Sequence, residues 1–429
     1  MFANLSPTPT EAGESPVYFS MNVALRQFPA LNPASPTPAD GRIARIAVFN
    51  EMSKAEAPWR ALERSIESGG VLVTPYQRYD FLALWQQHVG QAAGVTPFVV
   101  VGFDSAGEPM FLAPLGRRKS GPFTVVEFLG GKHVNLNFAL WRRDAATSVT
   151  ADDLASFVRR LAAIEKDVDV LALRNQPEHW GETANPFALL SKQPSPSNCP
   201  RLPLGGSGVE VIERQISSSL RGRLRNKERK LQKLPGYRYL RATNAAEVDR
   251  LLAAFMIQKS ARFSEKGMDN VFAEPGVEAF LRASCHQGLG AGAPVIEIHS
   301  LVTDDEVLAL YAGVNDGQRF SGMFNSYTLS ENARWSPGLI LLLHMVTDCA
   351  NRGLGMFDLG IGEAHYKELI CPSNEKLFDG FMGLTPRGSL IVFGMQTALR
   401  VKRAIKHNRL LWSVVLGVRW ARALFSKAQ

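Results

Sequence analysis

Five polar side chains crowd into a stretch of ten residues: Asp358, Glu363, His365, Tyr366 and Lys367, at the end of the apolar run MFDLGIG. A set of this kind can supply a general base (Asp358, Glu363 or His365), a proton donor (Tyr366) and a cation for developing negative charge (Lys367). Upstream, Arg334, Ser336, Pro337 and Gly338 open the apolar stretch SPGLILLLHMVTDCANRG. Ser336 suits an N-cap and Pro337 the first helical position. The free N–H groups and the dipole of such a helix end attract an anion, and Arg334 can add a charge-assisted contact.

These groups need three linked elements to position them. SGMFNSYTL alternates as a strand, with Met323, Asn325, Tyr327 and Leu329 on one face and Phe324, Ser326 and Thr328 on the other. Asn325 and Tyr327 are therefore candidate substrate contacts. A helix follows from Pro337 to the C-capping Gly353, and MFDLGIG returns as a short buried strand.

Strand, R-x-S-P-G loop, apolar helix, R-G strand and x-Y-K together resemble the core of the GNAT acyltransferase fold. More narrowly, they are similar to the CelD-like (cellulose biosynthesis, BioF2-like) acetyltransferases, related to the Fem-type aminoacyl transferases, over about Arg42 to Phe393. In this resemblance Arg334, Ser336, Pro337 and Gly338 occupy the pyrophosphate loop of an acyl-CoA, with Pro337 and Leu339 at its usual glycine or alanine positions. Lys367, in an aromatic-Lys pair with Tyr366, would meet the oxyanion, and Tyr366 would protonate the leaving thiolate. The resemblance also implies acetyl-CoA or another acyl-CoA as co-substrate.

The remainder of the chain reads as support. Residues 1–40, rich in Pro, Ser and Thr, read as a disordered leader. From Arg42 a strand, two helices, a hairpin turning at Asp104–Gly107, a strand, the helix ADDLASFVRRLAAIEKD and the strand VDVLALRNQ follow in order. After the break at 191–208 the order recurs: helix, strand, two helices, a three-strand meander, helix, strand. The expected class is α/β, with two tandem GNAT-like domains, 41–190 and 209–395, each a mixed sheet flanked by helices. The second is expected to be the catalytic domain.

Leu220–Lys233 holds seven basic residues and one acid. Without interleaved aromatics to stack on bases, it reads as a solvated helix whose Arg221 and Arg225 border an acceptor cleft. After Asp379 there are nine Lys/Arg and no Asp or Glu, so of the net +8 the preceding chain carries about −1 (8 − 9). Residues 396–429 read as a basic amphipathic helix suited to peripheral membrane contact.

Cys199, Cys285, Cys349 and Cys371 are widely spaced and suit free buried thiols in a reducing compartment, so no metal is expected. The sequence lacks a phosphate-binding G-x-x-x-x-G-K-[ST] loop, a dinucleotide fingerprint, a G-x-S-x-G elbow and histidine pairs at metal spacing. No apolar run reaches the roughly 18–20 residues of a spanning helix, and no signal peptide is visible.

The expected protein is a cytoplasmic acyltransferase, possible at the inner membrane face, moving an acyl group to an amine or hydroxyl of a small or lipid-linked sugar in envelope or polysaccharide metabolism. Aminoacyl transfer from charged tRNA, and a non-catalytic scaffold of a polysaccharide synthase, are the alternatives.

Overall fold

The computed structural model describes residues 41–362 and 364–407; the Pro-rich leader, Glu363 and the chain beyond His407 lie outside the described residues. The first half supplies β1 (Arg45–Phe49), α1 (Met52–Glu63), α2 (Tyr79–Trp85), β2 (Thr96–Phe103), β3 (Pro109–Ser120), β4 (Phe123–Phe128), α3 (Ala151–Ile164) and β5 (Val170–Pro177). Next come β6 (Lys192–Pro194), β7 (Cys199–Pro203), α4 (Gly208–Gln215), α5 (Ser218–Leu231), β8 (Arg238–Arg241), α6 (Ala245–Glu265) and α7 (Val277–His286). The chain continues with β9 (Glu297–Val302), β10 (Val307–Asn315), β11 (Arg319–Tyr327), α8 (Pro337–Asn351), β12 (Met356–Asp358), α9 (His365–Ile370), β13 (Ser373–Glu375), β14 (Leu377–Gly383) and α10 (Pro386–His407).

Two mixed sheets result. The first runs β1-β2-β3-β4-β5-β14-β6 and the second β8-β9-β10-β11-β12-β7-β13; two short strands, Val71–Leu72 and Leu140–Arg142, extend the first beside β3. The orders correspond strand for strand, and each sheet contains one parallel pair, β4–β5 and β11–β12. The recurrence expected from the sequence is thus a recurrence of topology.

The segment 191–208, expected as a linker, is structured: β6 closes the edge of the first sheet and β7 enters the second. Reciprocally, β14 leaves the second half to lie between β5 and β6 of the first sheet. Each sheet therefore contains a strand contributed by the other half of the chain.

Burial follows the sequence pattern. Apolar strands such as β2, where Phe98, Val99, Val100 and Val101 are all inaccessible, are covered on both faces. One core joins Trp59, Tyr76, Phe81 and Trp85 to Leu251, Phe255, Phe280 and Phe324, so the two domains share apolar packing. Within it Phe81 meets Phe280 edge-on at 5.4 Å. Gly276 marks how closely they approach: a Cβ there would stand 1.8 Å from the His88 carbonyl oxygen. All four cysteines are free and buried.

Candidate active site

The site begins with a parting of strands. β11 and β12 pair only through Arg319–Met356, Phe320–Phe357 and Ser321–Asp358, after which β11 runs on alone to Tyr327. A bulge lies at the parting, where Ala312 faces Phe324 but Gly313 faces Gly322, leaving Met323 as the extra residue. Beyond it the register fixes which backbone groups turn away from β10. Thr328 N–H donates to the Leu308 carbonyl, so the bonded pairs are 308–328, 310–326 and 312–324. Antiparallel alternation then turns the N–H and C=O of Asn325 and Tyr327 away from β10, into the gap.

Helix α6 reaches this edge. Lys259 donates to the Asn325 carbonyl at 3.1 Å, and Arg262 donates to the Thr328 carbonyl at 3.1 Å while lying 3.3 Å over the Tyr327 ring. Lys259 also faces the rings of Phe263 and Phe272. Burial, helped by the cations Lys266 and Arg262, lowers its ammonium to about 8. On the other side Asn325 Nδ2 donates to the Tyr366 hydroxyl at 3.2 Å. Buried Tyr311 donates to the Leu359 carbonyl, and burial, with Tyr366 beside it, raises its phenol well above the ordinary range. Asn325 thus meets Lys259 through its carbonyl and Tyr366 through its side-chain amide.

The apex of the gap is closed by the first domain. Tyr76 and Asn135 donate to the Gly322 carbonyl at 3.0 and 2.9 Å, and Asn135 also donates to the Tyr76 hydroxyl. The turn at Gly360, where φ is +73°, passes so near that a Cβ would stand 2.6 Å from Asn135 Nδ2. Lys367 is buried and donates to the carbonyls of Gly360 and Ile361 at 3.1 and 2.9 Å, which pins this turn.

At the far end of the edge lies the start of α8. Ser336 holds the N-cap position in the left-handed region, φ +57° and ψ +49°, unusual for a residue other than glycine. Its hydroxyl does not cap the helix, as the sequence had suggested; it accepts from Lys227 Nζ at 2.7 Å. Pro337 has no N–H, and among the described residues Gly338 N–H has no acceptor. Space is open at Gly338. Arg334 is exposed, stacks on Trp335 and lies 3.3 Å from Glu331. Here α5 adjoins the loop, so the basic stretch stands beside α8.

The corresponding helix of the first domain starts differently. Thr150 and Asp153 form a reciprocal capping box at α3, with Asp152 in the same turn. Those groups already satisfy the helix end and place negative charge on it. Of the two copies, only the second offers an open helix start with cations around it.

Several expected residues sit elsewhere. Asp358 is fully buried: it accepts from Arg319 Nε at 2.7 Å, Ser321 Oγ at 2.6 Å and Gly360 N at 2.9 Å, and meets Cys199 Sγ at 3.5 Å. Arg319 and Arg201 continue to Glu375 at 3.3 and 2.8 Å. This inward cluster ties β7, β11, β12 and β13 together, so Asp358 is a positioning residue in place of the expected base. His365 has a side chain 73% exposed and lies 4.0 Å from Glu368, on the outer surface of α9. Glu363 lies outside the described residues. Arg221 is 3.7 Å from Glu213 and Arg225 is exposed on α5.

A second polar cluster brings Glu297, His299 and Asp348 together as potential ligand atoms. Arg352 engages Glu297 at 2.7 and 2.8 Å, and Arg241 lies 3.6 Å away. Burial would raise the Glu297 carboxyl, but His299 and Arg352 hold it well below its ordinary range. With its charge matched by guanidinium groups, the cluster reads as an ion-pair network. The thiols are poor nucleophiles: burial raises Cys199 well above its ordinary range and Cys349 to about 12.

The site is thus a sheet splayed at its parallel pair, with an open helix start beside the gap. The family model described as an acetyltransferase (GNAT) domain matches residues 218–368, spanning α5 through most of α9 and making the second domain that of an acyltransferase. The chain is similar in fold to the crystal structure of FemX, at 10% identity, with 75% of this chain and 98% of that chain covered and a TM-score of 0.51. Fainter likeness is seen to L-PGS from Bacillus licheniformis (13% identity, 73% and 95% covered, TM-score 0.45). A tandem GNAT protein from the clavulanic acid biosynthesis pathway is comparable (10% identity, 80% and 99% covered, TM-score 0.41). No curated protein matches the chain.

Proposed function

We propose that this protein transfers an acyl group from an acyl-CoA to an amine or hydroxyl acceptor at the gap between β11 and β12. The observation that carries the reading is the pair of outward-turned N–H groups of Asn325 and Tyr327, leading toward the open start of α8. An extended pantetheine arm can hydrogen-bond along such an edge, with its diphosphate at Gly338 N–H, Lys227 and Arg334.

The acceptor attacks the thioester carbonyl directly. The C–S bond breaks as the new C–N or C–O bond forms, and the acceptor's proton is finally transferred to the CoA sulfur. Tyr366 donates toward that sulfur, and the Lys259 ammonium offers positive charge to the developing anion. Lys367 acts through the turn it pins. The resemblance to CelD-like proteins favours an amino sugar or lipid-linked precursor of envelope or polysaccharide metabolism as acceptor.

The test is a thermal-shift titration with acetyl-CoA, longer acyl-CoAs and CoA alone. A ligand at about a hundred times its Kd adds roughly 2.7 kcal/mol of stability. A rise in Tm that disappears in Gly338→Glu, a substitution the open space accommodates, supports the reading; no rise with any donor overturns it.

One observation favours a second reading. The exposed cations Arg223, Arg225, Arg229 and Lys230 of α5 stand beside the same loop and suit a polyanion such as charged tRNA, the donor of Fem-type transfer. Salt-sensitive RNA binding in the absence of any CoA effect would select it. If neither donor binds, the scaffold alternative is favoured.

A further inference from the structure

Helix α10 has two apolar faces, and the fold uses only one. Ile391, Val392, Met395 and Leu399 pack with Val125, Val170, Ala172 and Phe381 against the first sheet. On the opposite side Leu390, Phe393 and Val401 are 59%, 61% and 53% exposed. At 100° per residue, Leu390, Gly394, Thr397 and Val401 fall on one stripe with Phe393 at its border.

The charge around this stripe has one sign. Arg387 is exposed and neutralises buried Asp169, and Arg400 is exposed. A shallow groove of about 350 Å³ between β6 and α10 is lined by Lys192 and Arg400, adding a second exposed cation to the same rim. From Gly380 to the last residue there are nine Lys/Arg and no Asp or Glu.

We propose that α10 lays its second face on an anionic lipid surface. Leu390, Phe393 and Val401 enter the boundary between head groups and acyl chains, while Lys192 and Arg400 meet lipid phosphates. The charge argues against a second copy as the occupant, since self-pairing would bring two acid-free basic segments together. Among the described residues no helix is long and apolar enough to cross a membrane, so the contact is one of lying on the surface.

The experiment is co-sedimentation of the full 429-residue chain with vesicles of phosphatidylcholine alone or with about a third phosphatidylglycerol. Binding to the anionic vesicles only, weakened by salt and reduced roughly tenfold in the triple variant Leu390→Gln/Phe393→Gln/Val401→Gln with unchanged Tm, is the expected result. Three results overturn the proposal: no binding to either vesicle, binding that the triple variant retains in full, or equal binding to neutral vesicles. A dimer in sedimentation that the triple variant dissolves, without lipid binding, assigns the face to a second copy instead.

Discussion

Tyr366 and Lys259 have different proposed roles in one transfer, and their substitutions separate in what they change. Tyr366→Phe removes the proton donor while leaving the ring, so kcat should fall roughly a hundredfold with little change in Tm. For Lys259 the pH dependence has a definite sign. Its folded pKa of about 8 lies below the ordinary 10.5, so the unfolded chain binds more protons between those values. Stability therefore rises with pH through that window, and the cost of burying the ammonium is fully present below about 8. Lys259→Met should raise stability at neutral pH by up to roughly 3 kcal/mol, less its contact with the Asn325 carbonyl. It should also slow turnover and abolish a fall in kcat near pH 8 that the unaltered enzyme shows. Stabilisation without loss of rate would remove Lys259 from the reaction. Asp358→Ala differs in kind: it takes from buried Arg319 its nearer carboxylate, leaving only Glu375, and from Ser321 and Gly360 their acceptor, so it should cost about 3–5 kcal/mol, visible as early urea unfolding.

At the scale of elements, the unit from Ser321 to Lys367 was legible because its signals are local. The alternation in β11, Pro337 at the first turn of α8 and Gly353 after it act over a few residues. Contacts across long separations left no comparable trace. Asp358 stands out as a polar residue in an apolar strand, but its partner Arg319 precedes it by 39 residues, so a structural carboxylate looked like a base. Lys259 was missed because its target carbonyl lies 66 residues away, and nothing in the repeat of α6 separates it from a solvated lysine. The outward edge of β11 depends on a bulge and on register with β10, neither of which is written in one strand. Ser336 shows the same limit: the Ser-Pro pair announces a helix start, but not the left-handed backbone or the partner Lys227. Ser336→Ala keeps that backbone and releases the lysine, so a several-fold loss of acyl-CoA affinity with unchanged helix content is expected in titration calorimetry.

For the whole molecule, the domains are bound by a shared core and by exchanged strands. Gly276, with φ +80°, has room for no side chain against His88, so Gly276→Ala should destabilise the assembly by about 1–3 kcal/mol. Lys132 and Glu274 pair across the same boundary. Because the exchange is mutual, denaturant should unfold both halves in one transition by circular dichroism and tryptophan fluorescence. Two resolved transitions would mean that the halves are independent. The closed apex of the gap has the same origin: Tyr76 and Asn135 bring the first domain into the site of the second. The first domain has no open helix start of its own.

The position of β14 also bears on how the chain is made. The first sheet cannot extend past β5 until Leu377–Gly383 has been synthesised, some two hundred residues later. Until that strand emerges, the edge of β5 has no native partner, and the nascent first half must wait, exposed to wrong pairings, for a strand encoded far downstream. Emergence of β14, rather than of the first half alone, is then the step that allows the first sheet to finish folding.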